Sequence, residues 1–229
     1  EPAQQFRNPV HCAELAVDRL LYVCDRVNDR IQVFRADGTF VAETFIEKQT
    51  LGAGSVWEIA FSRDQWQTYM YVADGVNERI HILRRDTLEY LTSFGDGGRQ
   101  PGQFYGVHSI ATDSQDRVYA FQRAEPPVLV FDRDGNYLSS WGNGNFVNPH
   151  GLFIKDDIVY VTDREGSTAM KYTLDGKPLQ VIGEHGVGSD TGCEVSGEVV
   201  PRSAGPFTFI PEMVPHPSGA LHPSDRYRT

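Results

Sequence analysis

Cysteine is scarce in this chain of 229 residues: only Cys12, Cys24 and Cys193 are present. No CxxC spacing occurs, and an odd number leaves at least one unpaired, so neither a disulfide framework nor a cysteine metal knuckle is indicated. Cys12 and Cys24 fall on neighbouring strands of one repeat. A disulfide between them is geometrically conceivable, and two buried thiols are the reading preferred here. No apolar run approaches the roughly 18 residues of a membrane span. The chain opens at Glu1 without a charged segment followed by an apolar one, so the expectation is that a leader has been removed or that the chain begins inside a longer product. Secretion or a periplasmic location is favoured only weakly. Basic residues are outnumbered, 21 against 31 acidic, for a formal charge of −10. That balance argues against nucleic acid or an anionic membrane as principal partner. The Gly-Pro-rich run Gly95-Asp-Gly-Gly-Arg-Gln-Pro-Gly-Gln-Phe104 lacks the strand–loop–helix context and the Lys-Ser/Thr of a phosphate loop, and reads as a connection.

What the chain does have is a recurring phrase. It is clearest at Tyr22-Val-Cys-Asp-Arg-Val-Asn-Asp-Arg-Ile-Gln-Val-Phe34 and returns as Tyr71-Val-Ala-Asp-Gly-Val-Asn-Glu-Arg-Ile-His-Ile-Leu83. More worn copies start at Tyr119 and Tyr160, and a short echo is His222-Pro-Ser-Asp-Arg226. Each full copy is followed by a turn and another strand, as at Asp37-Gly38, Asp86-Thr87, Asp134-Gly135 and Asp175-Gly176. An apolar stretch precedes each. A period of roughly 40–50 residues with this order is that of a β-propeller blade. The expected fold is therefore all-β: a β-propeller of four-stranded blades over residues 1–229, one domain with about five units readable. The fifth begins near Phe207 and stops after at most two strands.

In three units the stretch before the phrase carries a histidine: His11, His108 and His150. In the second unit Trp57 or a neighbour stands there instead. Inner strands line a propeller's axis, so one repeat position forms a ring. Three imidazoles suit zinc and leave a fourth position open. Each histidine taken singly is an ordinary strand-start residue bonded to backbone. Trp57, Trp66 and Trp141 read as blade packing, and His81, His185, His216 and His222 as structural or solvent-facing.

The wording of these phrases resembles the NHL-repeat propellers and, more narrowly, the peptidyl-α-hydroxyglycine α-amidating lyase group and its bacterial relatives. Asn148-Pro-His-Gly-Leu152 with Tyr160-Val-Thr-Asp163 is similar to a lyase blade supplying one metal histidine. Pro9-Val-His-Cys-Ala-Glu-Leu15 with the phrase at Tyr22 resembles the blade supplying a second histidine and a substrate-facing arginine, here Arg26. Val107-His-Ser-Ile110 stands where the third histidine is expected. Phe121-Gln-Arg123 is similar to the family's second arginine site, and Ser224-Asp-Arg-Tyr227 to its tyrosine site.

The resemblance implies a metal-dependent lyase that cleaves an N–C bond to release a peptide amide and glyoxylate. It implies zinc on His11, His108 and His150, a carboxylate gripped by Arg26 and Arg123, and Tyr227 as proton acceptor. For the arginines the other reading is ion pairing with Asp25, Asp74 and Asp163; for Tyr227 it is plain surface. Departures are visible. The family has six blades, and their order is rotated here. Ser109 stands where the family has an acidic residue that helps hold calcium, which makes calcium a weaker expectation than zinc. Gly106 replaces a methionine and Arg226 a glycine. The expected partner is a small-molecule or peptide substrate bearing a carboxylate, with a protein partner as the further option. The rival function is a non-catalytic NHL-repeat scaffold that binds protein or ligand.

Overall fold

The computed structural model describes residues 5–190, 192, 205, 207, 210–216, 218 and 220–224. Tyr227 and Cys193 lie outside them. The first sheet comprises β1 (Cys12–Leu15), β2 (Leu21–Asp25), β3 (Arg30–Phe34) and β4 (Phe40–Phe45), in that spatial order. The second repeats it with β5 (Glu58–Phe61), β6 (Tyr69–Asp74), β7 (Arg79–Arg84) and β8 (Tyr90–Phe94). The third is β9 (Val107–Thr112), β10 (Val118–Gln122), β11 (Val128–Phe131) and β12 (Tyr137–Trp141). The fourth is β13 (Pro149–Lys155), β14 (Ile158–Asp163), β15 (Thr168–Thr173) and β16 (Pro178–Ile182). A two-stranded fifth sheet holds β17 (Glu212–Pro215) and β18 (Leu221–Ser224). The expected all-β repeat is present. Among the described residues, no helix is long and apolar enough to cross a membrane.

Packing forms two units, one of residues 1–120 with 129–139 and one of 121–128 with 140–229. In the first, the inner strands β5 and β9 are buried along almost their whole length, while β1 is buried only at Cys12. Along β6 every residue after Tyr69 is buried, whereas β4 and β8 are largely exposed. Strands covered on both sides need near-continuous apolar runs, which is why Met70-Tyr-Val-Ala73 does not alternate. One core joins Tyr22, Ile31 and Val33 to Ile59, Met70 and Leu83. The next joins Tyr71, Ala73 and Ile80 to Val107, Val118 and Phe131. In the second unit Ala169 packs with Phe207, Ile210 and Met213, so the fifth sheet is seated on the fourth.

The recurring aspartates have a local cause. Asp25, Asp74 and Asp163 end the second strand of their sheets with no exposed surface. Asp25 accepts from the Arg7 amide at 3.0 Å, from Asn28 Nδ2 at 2.8 Å and from Arg30 Nε at 2.8 Å. Asp74 accepts from the Asn77 amide at 3.0 Å and side chain at 2.7 Å, with His81 Nε2 at 3.1 Å. Asp163 takes three amides, those of Val147, Asn148 and Gly166, at 2.6–3.0 Å. A buried carboxylate persists when donors surround it. Here the donors come from the turn into the third strand, joined by the segment before the first strand for Asp25 and Asp163 and by the third strand for Asp25 and Asp74, so each aspartate stitches its own blade.

Neighbouring blades of the first unit are tied by two further repeat positions. Tyr22 and Tyr71 donate through their hydroxyls to the carbonyls of Arg85 and Arg133, each at 3.3 Å. Asp29 and Glu78 sit at φ 55° and 57°, where the chain turns into the third strand. Their carboxylates accept from the Ser55 amide at 3.0 Å and the Gly106 amide at 2.7 Å. Burial pushes both pKa values up, against the opposing pull of those amide donors.

One expectation is overturned. Cys12 and Cys24 are directly opposed on β1 and β2, with Cα atoms 4.8 Å apart, and form a disulfide rather than two buried thiols. Opposed positions on antiparallel strands bring Cβ atoms within bridging distance. Spacing along the chain alone did not decide between pairing and burial.

Candidate functional site

The inner strands β1, β5 and β9 of the first unit begin side by side, and the residues at their starts converge. His11 immediately precedes β1, Trp57 immediately precedes β5, and His108 is the second residue of β9. The His11 and Trp57 amides bond in the same way, to the carbonyls of Cys24 and Ala73, each at 2.9 Å. That equivalence makes Trp57 the second blade's counterpart of the histidine. The His11 and His108 rings meet edge to face with centroids 4.9 Å apart. Trp57 lies 5.7 Å from His11 and 5.3 Å from His108.

Arg26 joins them from the end of β2, at the start of a short 3₁₀ turn over Arg26–Asn28. Because β2 runs antiparallel to β1, its last residues return to the end where β1 begins. The Arg26 guanidinium lies 4.4 Å from the Trp57 ring centroid, a cation–π stack. Trp57 is held in turn by a 2.8 Å bond from its Nε1 to the Gly54 carbonyl. Gly54 has φ +78°, and a Cβ there would lie 1.9 Å from the Arg26 carbonyl oxygen. Any side chain at Gly75 would meet the Trp57 ring at 2.8 Å and the Val107 carbonyl at 2.6 Å. Both close approaches require glycine. Gly54 lets the chain pass close to the Arg26 backbone, and Gly75 leaves room for the Trp57 ring.

The histidine polarity is also set. His11 Nδ1 lies 2.5 Å from the Trp57 carbonyl oxygen, which can only accept, so Nδ1 carries the hydrogen and the neutral ring keeps its lone pair on Nε2. In the second unit His150, buried on β13, repeats the contact: its Nδ1 donates to the Pro211 carbonyl at 3.0 Å. Thr162 Oγ1 donates to that carbonyl at 2.8 Å and accepts from the Gly151 amide at 2.9 Å. Trp57 and Pro211 each directly precede the first strand of the following sheet, so the two contacts are repeats of one design. A ring nitrogen anchored on a carbonyl, with the lone pair on the other, is how metal-ligating histidines are oriented.

The sequence-derived site residues are thus distributed as follows. His11, His108 and Arg26 come together in the first unit. His150 belongs to the second unit, as does Arg123, exposed just after β10 and close enough to Glu165 to help lower its pKa after the hydrogen bonds from Arg164 and Asn148. Tyr227 falls outside the described residues. Asp25 is ion-paired with Arg30, and Asp74 is hydrogen-bonded with His81. Arg164 pairs with Glu165 at 2.8 Å. Trp57 packs, as expected, and it does so beside both imidazoles, which touch each other directly. Its place at the histidine position was the available signal. Trp66 is 69 % exposed and Trp141 packs on Tyr172, away from any histidine.

Comparison with known proteins agrees with this architecture. Human NHL repeat-containing protein 3 is 35 % identical over 100 residues, covering 38 % of this chain and 28 % of that protein. The chain is a β-propeller, and part of it is similar in sequence to an NHL repeat-containing protein. Among solved structures, the nidogen–laminin complex superposes with a TM-score of 0.65 at 18 % identity, over 94 % of this chain and 71 % of that one. A catalytically inactive histidine-to-alanine variant of virginiamycin B lyase from Staphylococcus aureus, with quinupristin, gives 0.60 at 12 % identity, over 78 % and 56 %. No protein-family model matches the chain. The chain spans little more than a quarter of the human relative's length.

Proposed function

We propose that this NHL-type propeller is a metal-dependent lyase that cleaves peptidyl-α-hydroxyglycine to a peptide amide and glyoxylate. The observation that carries the reading is the packing of His11 against His108 with Arg26 stacked on the adjacent Trp57. The donor chemistry fits zinc. The ligand set is the one the sequence resemblance implies, His11, His108 and His150; within their own units, His11 and His150 are each anchored through Nδ1. Zinc bound by these residues would supply Lewis-acid polarisation of the substrate hydroxyl. Calcium has no comparable support, since Ser109 offers no carboxylate.

The chain's own residues then do the rest. Arg26, pre-oriented by the indole, takes the substrate carboxylate, and Arg123 is the second cation for it. Tyr227 accepts the hydroxyl proton. The oxygen becomes the aldehyde of glyoxylate as the C–N bond breaks, and its electrons go to the amide nitrogen, which takes up the proton. No water is consumed. That a lyase of the same fold is inactive with one histidine replaced is supporting precedent.

The test is glyoxylate release from a hydroxyglycine-extended peptide, with and without a chelator. Arg26→Ala should lower kcat/KM by roughly tenfold to over a hundredfold, the loss of about 1.5–3 kcal/mol of charge-assisted hydrogen bonding. Tyr227→Phe should lower kcat more than it raises KM. Chelator-insensitive background release would remove the lyase reading and leave a ligand- or protein-binding propeller, as in the nidogen–laminin complex.

A further inference from the structure

Beneath the imidazole–indole cluster lies a second group of potential ligands that the proposed chemistry does not use. The sulfurs of Cys12 and Cys24 and a carboxylate oxygen of Glu58 all lie within 4.8 Å of one another. Cys12 is 8 % exposed and Cys24 is fully buried. Each sits on a different paired strand: Cys12 on β1 opposite Cys24 on β2, and Glu58 on β5 opposite Ala73 on β6. None is on a loop, so the three donors are positioned by hydrogen-bonded sheets.

We propose that Cys12, Cys24 and Glu58 form a redox-gated site for a thiophilic divalent cation of the zinc and cadmium class. In the oxidised protein the sulfurs are joined and the pair is a cross-strand link. A thiol reductant opens it: two reductant thiols become a disulfide, and their two electrons and two protons leave Cys12 and Cys24 as thiols. Metal binding then releases both protons to solvent as two thiolate–metal bonds form, and the Glu58 carboxylate supplies the third ligand.

The geometry favours this over two inert thiols. Tetrahedral zinc with bonds of about 2.3 Å to sulfur and 2.0–2.2 Å to oxygen places its donors roughly 3.5–3.8 Å apart. The Glu58 carboxylate, within 4.8 Å of the sulfurs, closes by about an ångström, while the two sulfurs, bonded to each other in the oxidised protein, swing apart on reduction through their side-chain torsions. Two thiolates and one carboxylate are a donor set that soft divalent ions prefer over calcium or magnesium. A fourth position is left for water or a small thiol. The site shares its scaffold with the cluster above it, since His11 directly precedes Cys12, Trp57 directly precedes Glu58, and Arg26 lies two residues beyond Cys24.

The probe is cadmium alone, titrated into full-length Cys193→Ser protein so that Cys193 contributes no sulfur. After reduction with a phosphine, one Cd²⁺ per chain should bind with thiolate-to-cadmium charge-transfer absorption in the ultraviolet. The oxidised protein should give none. The imidazoles of the proposed catalytic site produce no such band, so the result stands apart from the lyase reading. Glu58→Gln should weaken cadmium binding by at least about tenfold with the band retained. Absence of the band at one equivalent, an unchanged affinity in Glu58→Gln, or loss of the β-sheet circular dichroism on reduction would each overturn the proposal.

Discussion

Single carboxylates show how this chain spends hydrogen bonds. Asp64, in the turn between β5 and β6, is opposed by burial in ionising. It nevertheless accepts from the hydroxyls of Ser62 and Thr68 at 2.6 and 2.8 Å and the amides of Trp66 and Thr68 at 3.0 and 2.9 Å. The donors win and bring its pKa down to about 2. A carboxylate depressed in the folded state stabilises above its unfolded pKa, and that contribution disappears as pH falls toward the folded value. Asp64→Asn should therefore cost about 1 kcal/mol at neutral pH, once solvent screening is allowed for, and almost nothing at pH 2. Urea unfolding of both proteins between pH 2 and 7 checks it; a constant offset across that range would contradict it. The sequence showed an aspartate in a loop, but not that four donors would converge on it.

At the scale of the strand pair, the Cys12–Cys24 bond holds the two segments that bear His11 and Arg26. The closed loop is short, with a separation of 12 residues, so the link should contribute about 2–3 kcal/mol by restricting the unfolded chain. Replacing both cysteines with alanine should lower the unfolding free energy by that amount. A Cys193→Ser protein should unfold as the native one does. Equal losses from the two changes, measured by denaturant unfolding without reductant, would contradict the pairing. The turns were legible at this scale: Asp37-Gly38 and Asp134-Gly135 close hairpins with Gly38 at φ 86° and Gly135 at φ 89°. Pairing of the cysteines was not, because two opposed positions on a hairpin serve equally as packed thiols or as a bridge until their Cβ atoms are placed.

For the whole molecule, the outermost strand of each four-stranded sheet has no buried residue, and local stability should follow burial. Amide exchange should be slowest along β6, β9 and β10, where almost every residue is buried, and fastest on β4, β8, β12 and β16. Mass spectrometry of exchanged peptides would show this gradient. Uniform protection across each sheet would contradict it. The blade grammar was readable because each phrase specifies its own sheet through local rules. Apolar runs make the inner strands, an aspartate folds the turn behind the second strand, and Asp-Gly or a similar pair makes the outer hairpin. By themselves these residues determined the all-β repeat, the four complete units, the two-stranded fifth, and the shared position of His11, Trp57, His108 and His150. Tertiary structure alone decided what those positions touch. That His11 abuts His108, that Trp57 packs beside both under Arg26, and that Cys12 meets Cys24 beside Glu58 all depend on how residues far apart in sequence are brought into register. Local periodicity carries no information about such distances, since they are fixed by packing one sheet's face on the next.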